Sequence, residues 1–209
     1  MKFKWCRRPA SQTKKMPGSL SAVGTIWSMF SLTAAVLCCC GFYLPFWIQG
    51  RLLERADAYF SSFRRCNYPR LTARGDIEIV MECGRYSRFE DIPSVWWQVT
   101  TILMCLGCAL SVLASVTALS ACCFSYVLHS TSAKTTGGIQ LLAALLMTSG
   151  AALYPLGWDN RQVRESCGHL SSAYKLGTCQ LSWSAYIICS AIAMLLLCAL
   201  LSICAAKNS

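Results

Sequence analysis

The sequence predicts an all-α membrane bundle of four transmembrane helices with a small extracellular antiparallel β-sheet. Three observations predict it. The first is composition: 55% of the 209 residues are hydrophobic and 13% are charged, against about 45–50% apolar and about 25% charged in a soluble domain. That is too little charge for a water-facing surface and too much apolar content for disorder. The second is charge placement, because residues 20–48, 95–128, 139–156 and 181–206 contain no charged side chain. About 17–25 apolar residues cross a hydrocarbon core about 30 Å thick, so each run spans once. The third is that the two longer segments between these runs hold two cysteines each, Cys66 with Cys83 and Cys167 with Cys179.

In chain order, residues 1–19 form a basic tail (Lys2, Lys4, Arg7, Arg8, Lys14, Lys15) with no acid. Such density argues for a cytoplasmic N-terminus by the positive-inside rule, and the tail can hold anionic lipid at about 1 kcal/mol per Lys or Arg near the surface. The first span, 20–48, is about twice as long as a signal-peptide apolar region and lacks a small-residue cleavage site, so it reads as a retained anchor. Residues 49–94 form the first loop, long enough to fold. From Asp76 to Cys83 apolar and polar residues alternate, with Ile77, Ile79, Met81 and Cys83 on one face, the pattern of a half-buried strand. Residues 62–68 are its expected antiparallel partner, tethered by Cys66 and Cys83. The second span, 95–128, follows Pro93, where a missing N–H costs nothing. A cytoplasmic loop, 129–138, leads to the third span, 139–156, the tightest of the four; the uncharged stretch 135–158 allows it an earlier start. Residues 157–180 form a shorter second extracellular loop, 181–206 the fourth span, and 207–209 a cytoplasmic end.

Four loop cysteines allow three pairings, of which the within-loop bridges Cys66–Cys83 and Cys167–Cys179 are favoured. Each would stabilise its loop by about 3 kcal/mol on the entropy model. Disulfides persist on the oxidising side of a membrane, which puts both loops outside the cell and both termini in the cytoplasm. The expectation is a multi-pass protein of the plasma membrane. Trp47, Trp96, Trp97, Trp158 and Trp183, with Tyr43, Tyr154 and Tyr186, sit at the loop-bearing helix ends and are expected as an interfacial belt. Small residues recur four apart as Ser31, Ala35, Cys39; Gly107, Ser111, Ser115; Ala144, Thr148, Ala152; and Ala185, Cys189, Ala193. Such stripes let helix backbones approach in lipid. Cys122, Cys123 and Cys204, near cytoplasmic helix ends, are candidates for S-palmitoylation, with membrane-facing packing as the alternative.

The same reading excludes whole classes of function. No Asp, Glu, Lys, Arg or His falls within an expected span, which removes pumps and most secondary transporters. His129 and His169, the only histidines, are expected on opposite sides of the membrane, and no HExxH, GxSxG, P-loop or dinucleotide fingerprint occurs. No catalytic residue, metal site or cofactor is expected; the chain reads as a non-enzyme. The formal charge of +10 is divided across a bilayer and does not point to nucleic acid.

The loop and rim residues are more specific. Residues 42–50 (FYLPFWIQG), 62–69 (SFRRCNYP), 82–86 (ECGRY) with 92–94 (IPS), 137–140 (GGIQ), 154–159 (YPLGWD), 166–168 (SCG) and 176–179 (LGTC) together resemble the lipoma HMGIC fusion partner-like tetraspan family, over residues 20 to 204. Claudins are similar more distantly. The resemblance implies a claudin-like fold, no enzymatic activity, and a role as an auxiliary or scaffolding subunit. Family members act with a protocadherin in a mechanotransduction complex or with inhibitory GABA receptors.

The expected function is therefore a tetraspan that binds another integral membrane protein, an adhesion receptor or a channel, in cis. Arg64, Arg65, Arg85 and Arg88, with Trp47 and Trp158, are the candidate partner contacts. The alternatives are claudin-like junctional adhesion in trans and an oligomeric pore. The bilayer itself is a partner, and a homo-oligomer is a further one.

Overall fold

A computed structural model describes residues 22–52, 56–71, 77–123 and 130–208; the basic tail expected over 1–19 lies outside them. Four long helices dominate: α1 (Ala22–Tyr43), α2 (Val95–Cys123), α3 (Ser130–Leu153) and, last in the chain, α5 (Trp183–Asn208). Each is long and apolar enough to cross a membrane, over Gly24–Tyr43, Val95–Ser120, Thr131–Trp158 and Trp183–Cys204.

Burial along the helices repeats every seven residues. In α1 the buried positions are Gly24, Trp27, Ser28, Ser31, Ala34, Ala35, Cys38 and Gly41, and in α2 Trp97, Thr100, Met104, Gly107, Cys108, Ser111, Ala114, Ser115 and Ala118. A 3.5-residue seam is the signature of helices packed knobs-into-holes in a left-handed bundle. Its content is inverted relative to a soluble bundle. Small and hydroxylated residues make up most of the seam, with Trp27, Met104, Met147 and Leu195 buried among them, while Ile26, Met29, Leu32, Val36, Leu106, Val116, Leu145 and Leu200 point outward. Water would not tolerate such an apolar exterior; lipid does. The seven-residue seam also corrects the four-residue stripes. Gly107, Ser111 and Ser115 all lie in it, but Cys39, Thr148, Ala152, Cys189 and Ala193 are exposed, because steps of four advance by about 40° at 3.6 residues per turn and drift off the seam.

At one end of the bundle lies a five-stranded antiparallel sheet in the order β4-β3-β2-β1-β5, made of β1 (Ile48–Leu52), β2 (Ala56–Phe60), β3 (Arg64–Leu71), β4 (Ile77–Arg85) and β5 (Gln180–Leu181). The strand foreseen at residues 76–83 and its partner are β4 and β3. The rest of the sheet was not foreseen, and β5 brings the second loop onto the edge of the first. Between Cys66 and Tyr68 the register shifts, so that two residues of β4 oppose the single Asn67, whose φ is 55°. This bulge breaks the expected alternation and leaves Met81 68% exposed.

Helix ends explain the remaining differences. The first span was expected to reach residue 48, but α1 stops at Tyr43 because Pro45 has no N–H for the Gly41 carbonyl. The Trp47 indole (2.9 Å) and the Ser184 hydroxyl (3.4 Å) donate to that oxygen instead, and the chain leaves as β1. Most of the loop expected at 129–138 is helical, the first turns of α3. Lys134 therefore sits near one end of that span, exposed, where its long stem can carry the ammonium to the interface. At the other end Pro155 follows α3, a 3₁₀ turn runs over Tyr154–Trp158, and a short helix α4 (Arg161–Cys167) begins.

The expected aromatic belt divides in two. Tyr43, Trp96, Trp183 and Tyr186 are exposed, whereas Trp47, Trp97, Tyr154 and Trp158 are buried. Tyr154 stacks on Trp97 (5.4 Å between centroids) and meets Trp47 edge-on (4.8 Å). Its hydroxyl donates to the Phe60 carbonyl at 3.1 Å. This cluster welds the sheet to the bundle, and each buried ring contributes far more area than the small residues that make up most of the seam.

Candidate functional site

Strands β3 and β4 are joined by the disulfide between Cys66 and Cys83, directly opposed residues with Cα atoms 4.0 Å apart. The same register sets Arg64 opposite Arg85 and Arg65 opposite Gly84. Alternation along a strand then puts Arg64 and Arg85 on one face and Arg65 on the other. Like charges facing each other across a strand pair destabilise it. Arg64 relieves this by turning to α1. Its guanidinium lies 4.3 Å from the centre of the Tyr43 ring and donates to the Tyr43 carbonyl at 3.2 Å. A cation is favoured at this helix end because the last carbonyls lack helical donors. Arg85 and Arg88 remain exposed, with the Arg88 main-chain N–H donating to Asp91 Oδ2 at 2.9 Å.

On the opposite face Arg65 lies over two rings, 4.2 Å from the centre of Tyr68 and 5.1 Å from that of Tyr86. Tyr86 is buried, which pushes its phenol above the usual range, and its hydroxyl donates to Gln162 Oε1 at 2.8 Å. That bond ties the sheet to α4. Asn160 starts α4 by accepting from the Val163 N–H (3.0 Å), and the Cys167–Cys179 disulfide, with Cα atoms 4.9 Å apart, fixes its far end. β1 packs against this bridge so closely that a Cβ on Gly50 would collide with Cys179 Sγ. Between β3 and α4 a cleft of about 290 Å³ opens, lined by Arg65, Tyr68, Gln162, Glu165 and Ser166 among polar groups and by Leu52, Phe60 and Pro69 on its apolar side.

The structure thus brings Arg64, Arg65 and Arg85 together around the Cys66–Cys83 bridge. Two candidate contacts need correction. Trp47 is 2% exposed and Trp158 6%, so neither offers a surface to a partner; a tryptophan at a helix end fits a belt and a core equally well, and here both pack edge-on against the buried Tyr154 ring. Cys122 and Cys123 lie in the last turn of α2, with side chains outside the described ones. Cys204 is disulfide-bonded, and acylation there requires that bond to be open.

The residues that sequence reasoning missed are polar. Tyr86, Gln162 and Ser166 lie in irregular loop sequence without a periodic signal. Inside the bundle the Trp27 indole donates to Gln140 Oε1 (3.2 Å), Gln140 Nε2 donates to Ser31 Oγ (2.7 Å), and Ser31 Oγ donates to the Trp27 carbonyl (2.8 Å). This closed network joins α1 to α3, and the lone amide in an uncharged run was its signal. Among the described residues no group of three His, Cys, Asp or Glu side chains could hold a metal ion. The cleft holds one carboxylate, Glu165, which is ion-paired to Arg161 at 2.7 Å. The arrangement is equipped to recognise charge and rings on a rigid frame.

The model of the lipoma HMGIC fusion partner-like protein family matches residues 23–207. Among curated proteins the chain is similar to LHFPL tetraspan subfamily member 4 protein of Homo sapiens, 30% identical over 167 residues, which is 80% of this chain and 64% of that protein. It is similar to subfamily member 2a protein of Danio rerio, 32% identical over 121 residues, covering 57% of this chain and 54% of the other. The chain spans less than two thirds of the length of these relatives.

Proposed function

The chain belongs to the lipoma HMGIC fusion partner-like tetraspan family, and from that premise we propose that it is a non-catalytic auxiliary subunit, binding another integral membrane protein in cis. One observation carries the reading. The sheet is held to the bundle by an aromatic core and by strand pairing between both disulfide-bearing loops, so a contact made on the arginine-rich strands is mechanically coupled to the spans. A rigid platform of this kind binds at low ordering cost. The orientation that fits the reading has both loops outside the plasma membrane, where their disulfides persist, and both termini in the cytoplasm.

Purification of the full chain in mild detergent tests it. The expected result is a stoichiometric membrane-protein partner that survives gel filtration, lost when Arg85 and Arg88 are reversed to Glu. Recovery of the chain alone after crosslinking in intact cells contradicts the reading. Adhesion in trans would instead aggregate otherwise non-adherent cells, and a pore would raise conductance; the proposal expects neither.

A further inference from the structure

The cleft between β3 and α4 contains a mismatch that packing does not explain. Ser166 is 4% exposed, it lines the cleft, and its hydroxyl has no hydrogen-bond partner. A buried hydroxyl without a partner is a standing cost, since it forfeits its bonds to water. Across the same cleft Arg65 rests on two aromatic rings and no carboxylate of the described residues lies within ion-pairing distance, the two ion pairs being Arg161–Glu165 and Arg164–Asp159. A guanidinium without an ion-pair partner and an unsatisfied hydroxyl set just behind the wall thus border one recess.

We propose that this cleft is a docking site for a carboxylate side chain, a Glu or Asp presented by a loop of the partner membrane protein. The guanidinium fork of Arg65 pairs with both carboxylate oxygens, the geometry that makes arginine selective for such groups, and the Ser166 hydroxyl donates to one of them. Leu52, Phe60 and Pro69 cover the methylene stem. Size and charge select this occupant. A volume of about 290 Å³ falls at the lower edge of the roughly 300–1,000 Å³ of small-molecule sites, enough for one or two side chains. Glu165 in the wall offsets Arg161, leaving a single uncompensated cation, which suits a carboxylate rather than a doubly charged phosphate.

The inference rests on the auxiliary-subunit reading, and its test separates the two. The full chain in lipid nanodiscs is titrated with an acetylated, amidated peptide of sequence Gly-Ser-Glu-Asp-Gly and with its Gln/Asn counterpart, binding being read by saturation-transfer NMR. The acidic peptide is expected to bind at least fivefold tighter than the amide. Arg65→Gln and Ser166→Ala should each weaken it about fivefold or more, while Lys175→Gln, exposed and outside the cleft, leaves it unchanged. Ser166→Ala carries a second readout: it should raise the thermal midpoint while lowering affinity, as expected where a hydroxyl is kept for a ligand at the expense of stability. Equal binding of the two peptides, or affinity indifferent to both cleft variants, overturns the inference. So does inorganic phosphate displacing the peptide at lower concentration than glutarate, which would mark a phosphate site. If the peptide fails while the chain still co-purifies with a partner, the cleft assignment falls and the auxiliary role stands. If the peptide binds as described and no partner is recovered, the auxiliary role falls instead.

Discussion

The membrane-spanning seam and the sheet-bearing end solve the same packing problem with opposite materials. In the seam most buried residues are Gly, Ala, Ser and Cys, with Trp27, Met104, Met147, Ile188 and Leu195 set among them and Gln140 joining them as a buried amide, and most of the bulky aliphatics face outward. At the sheet end Trp47, Phe60, Trp97, Tyr154 and Trp158 are packed inside, reinforced by two disulfides. The difference follows the solvent. Lipid rewards no apolar burial, so the helices gain by close backbone approach. A small sheet exposed to water has to bury large rings, and a core of its size leaves staples to supply the rest.

That contrast orders the expected effects of substitution. Trp97→Ala should be the most damaging, at about 3–5 kcal/mol as for other buried aromatics, read as a fall in thermal midpoint in detergent with loss of surface expression. A loss below about 1 kcal/mol would remove the claim that the aromatic cluster welds the two regions. Replacing Cys66 and Cys83 together by Ser should cost about 3 kcal/mol and increase proteolysis within residues 49–94, leaving the spans protease-resistant. In the seam, Gly137→Ala is expected to cost about 1–3 kcal/mol by overpacking, since the new Cβ would collide with Ser202; a neutral outcome would mean that the helices are less closely packed than the seam requires. Gln140→Leu should cost less, about 0.6 kcal/mol and at most about 1.7 by comparison with other intramembrane hydrogen bonds, measured by retention of fold under denaturing detergent. Arg88→Gln, exposed and away from both cores, should shift stability by no more than about 0.5 kcal/mol.

Much of this was legible in the sequence, for physical reasons. A run without charge long enough to cross a bilayer has few alternative explanations, so the four spans were readable. Residues 76–83 alternate except at Val80, and the pattern reads as a strand. Elsewhere the same chemistry serves two structures. Phe46, Trp47 and Ile48 continue the uncharged run of α1, so hydropathy cannot mark where helix gives way to β1; only Pro45, through the carbonyl it leaves open, hints at it. Met81 follows the alternation and still faces solvent, because the bulge at Asn67 is a backbone event that no side-chain pattern records. β5 is two residues long, too short for any periodicity. The cleft was not legible at all: Arg65 reads from sequence as a candidate contact, but its setting depends on α4 packing on β1 beside β3, which the Cys167–Cys179 bridge and the Tyr86–Gln162 bond hold in place.

The most direct test of the account is chemical access to the loop cysteines. Intact cells expressing the full chain are mildly reduced and treated with a membrane-impermeant thiol reagent, and labelled peptides are mapped by mass spectrometry. Labels on the peptides that carry Cys66, Cys83, Cys167 and Cys179, with none on Cys6 until the cells are permeabilised, are the predicted result. Labelling of Cys6 in intact cells, or of only one of the two bridged loops, would contradict a single sheet built from both loops on the outer side of the membrane.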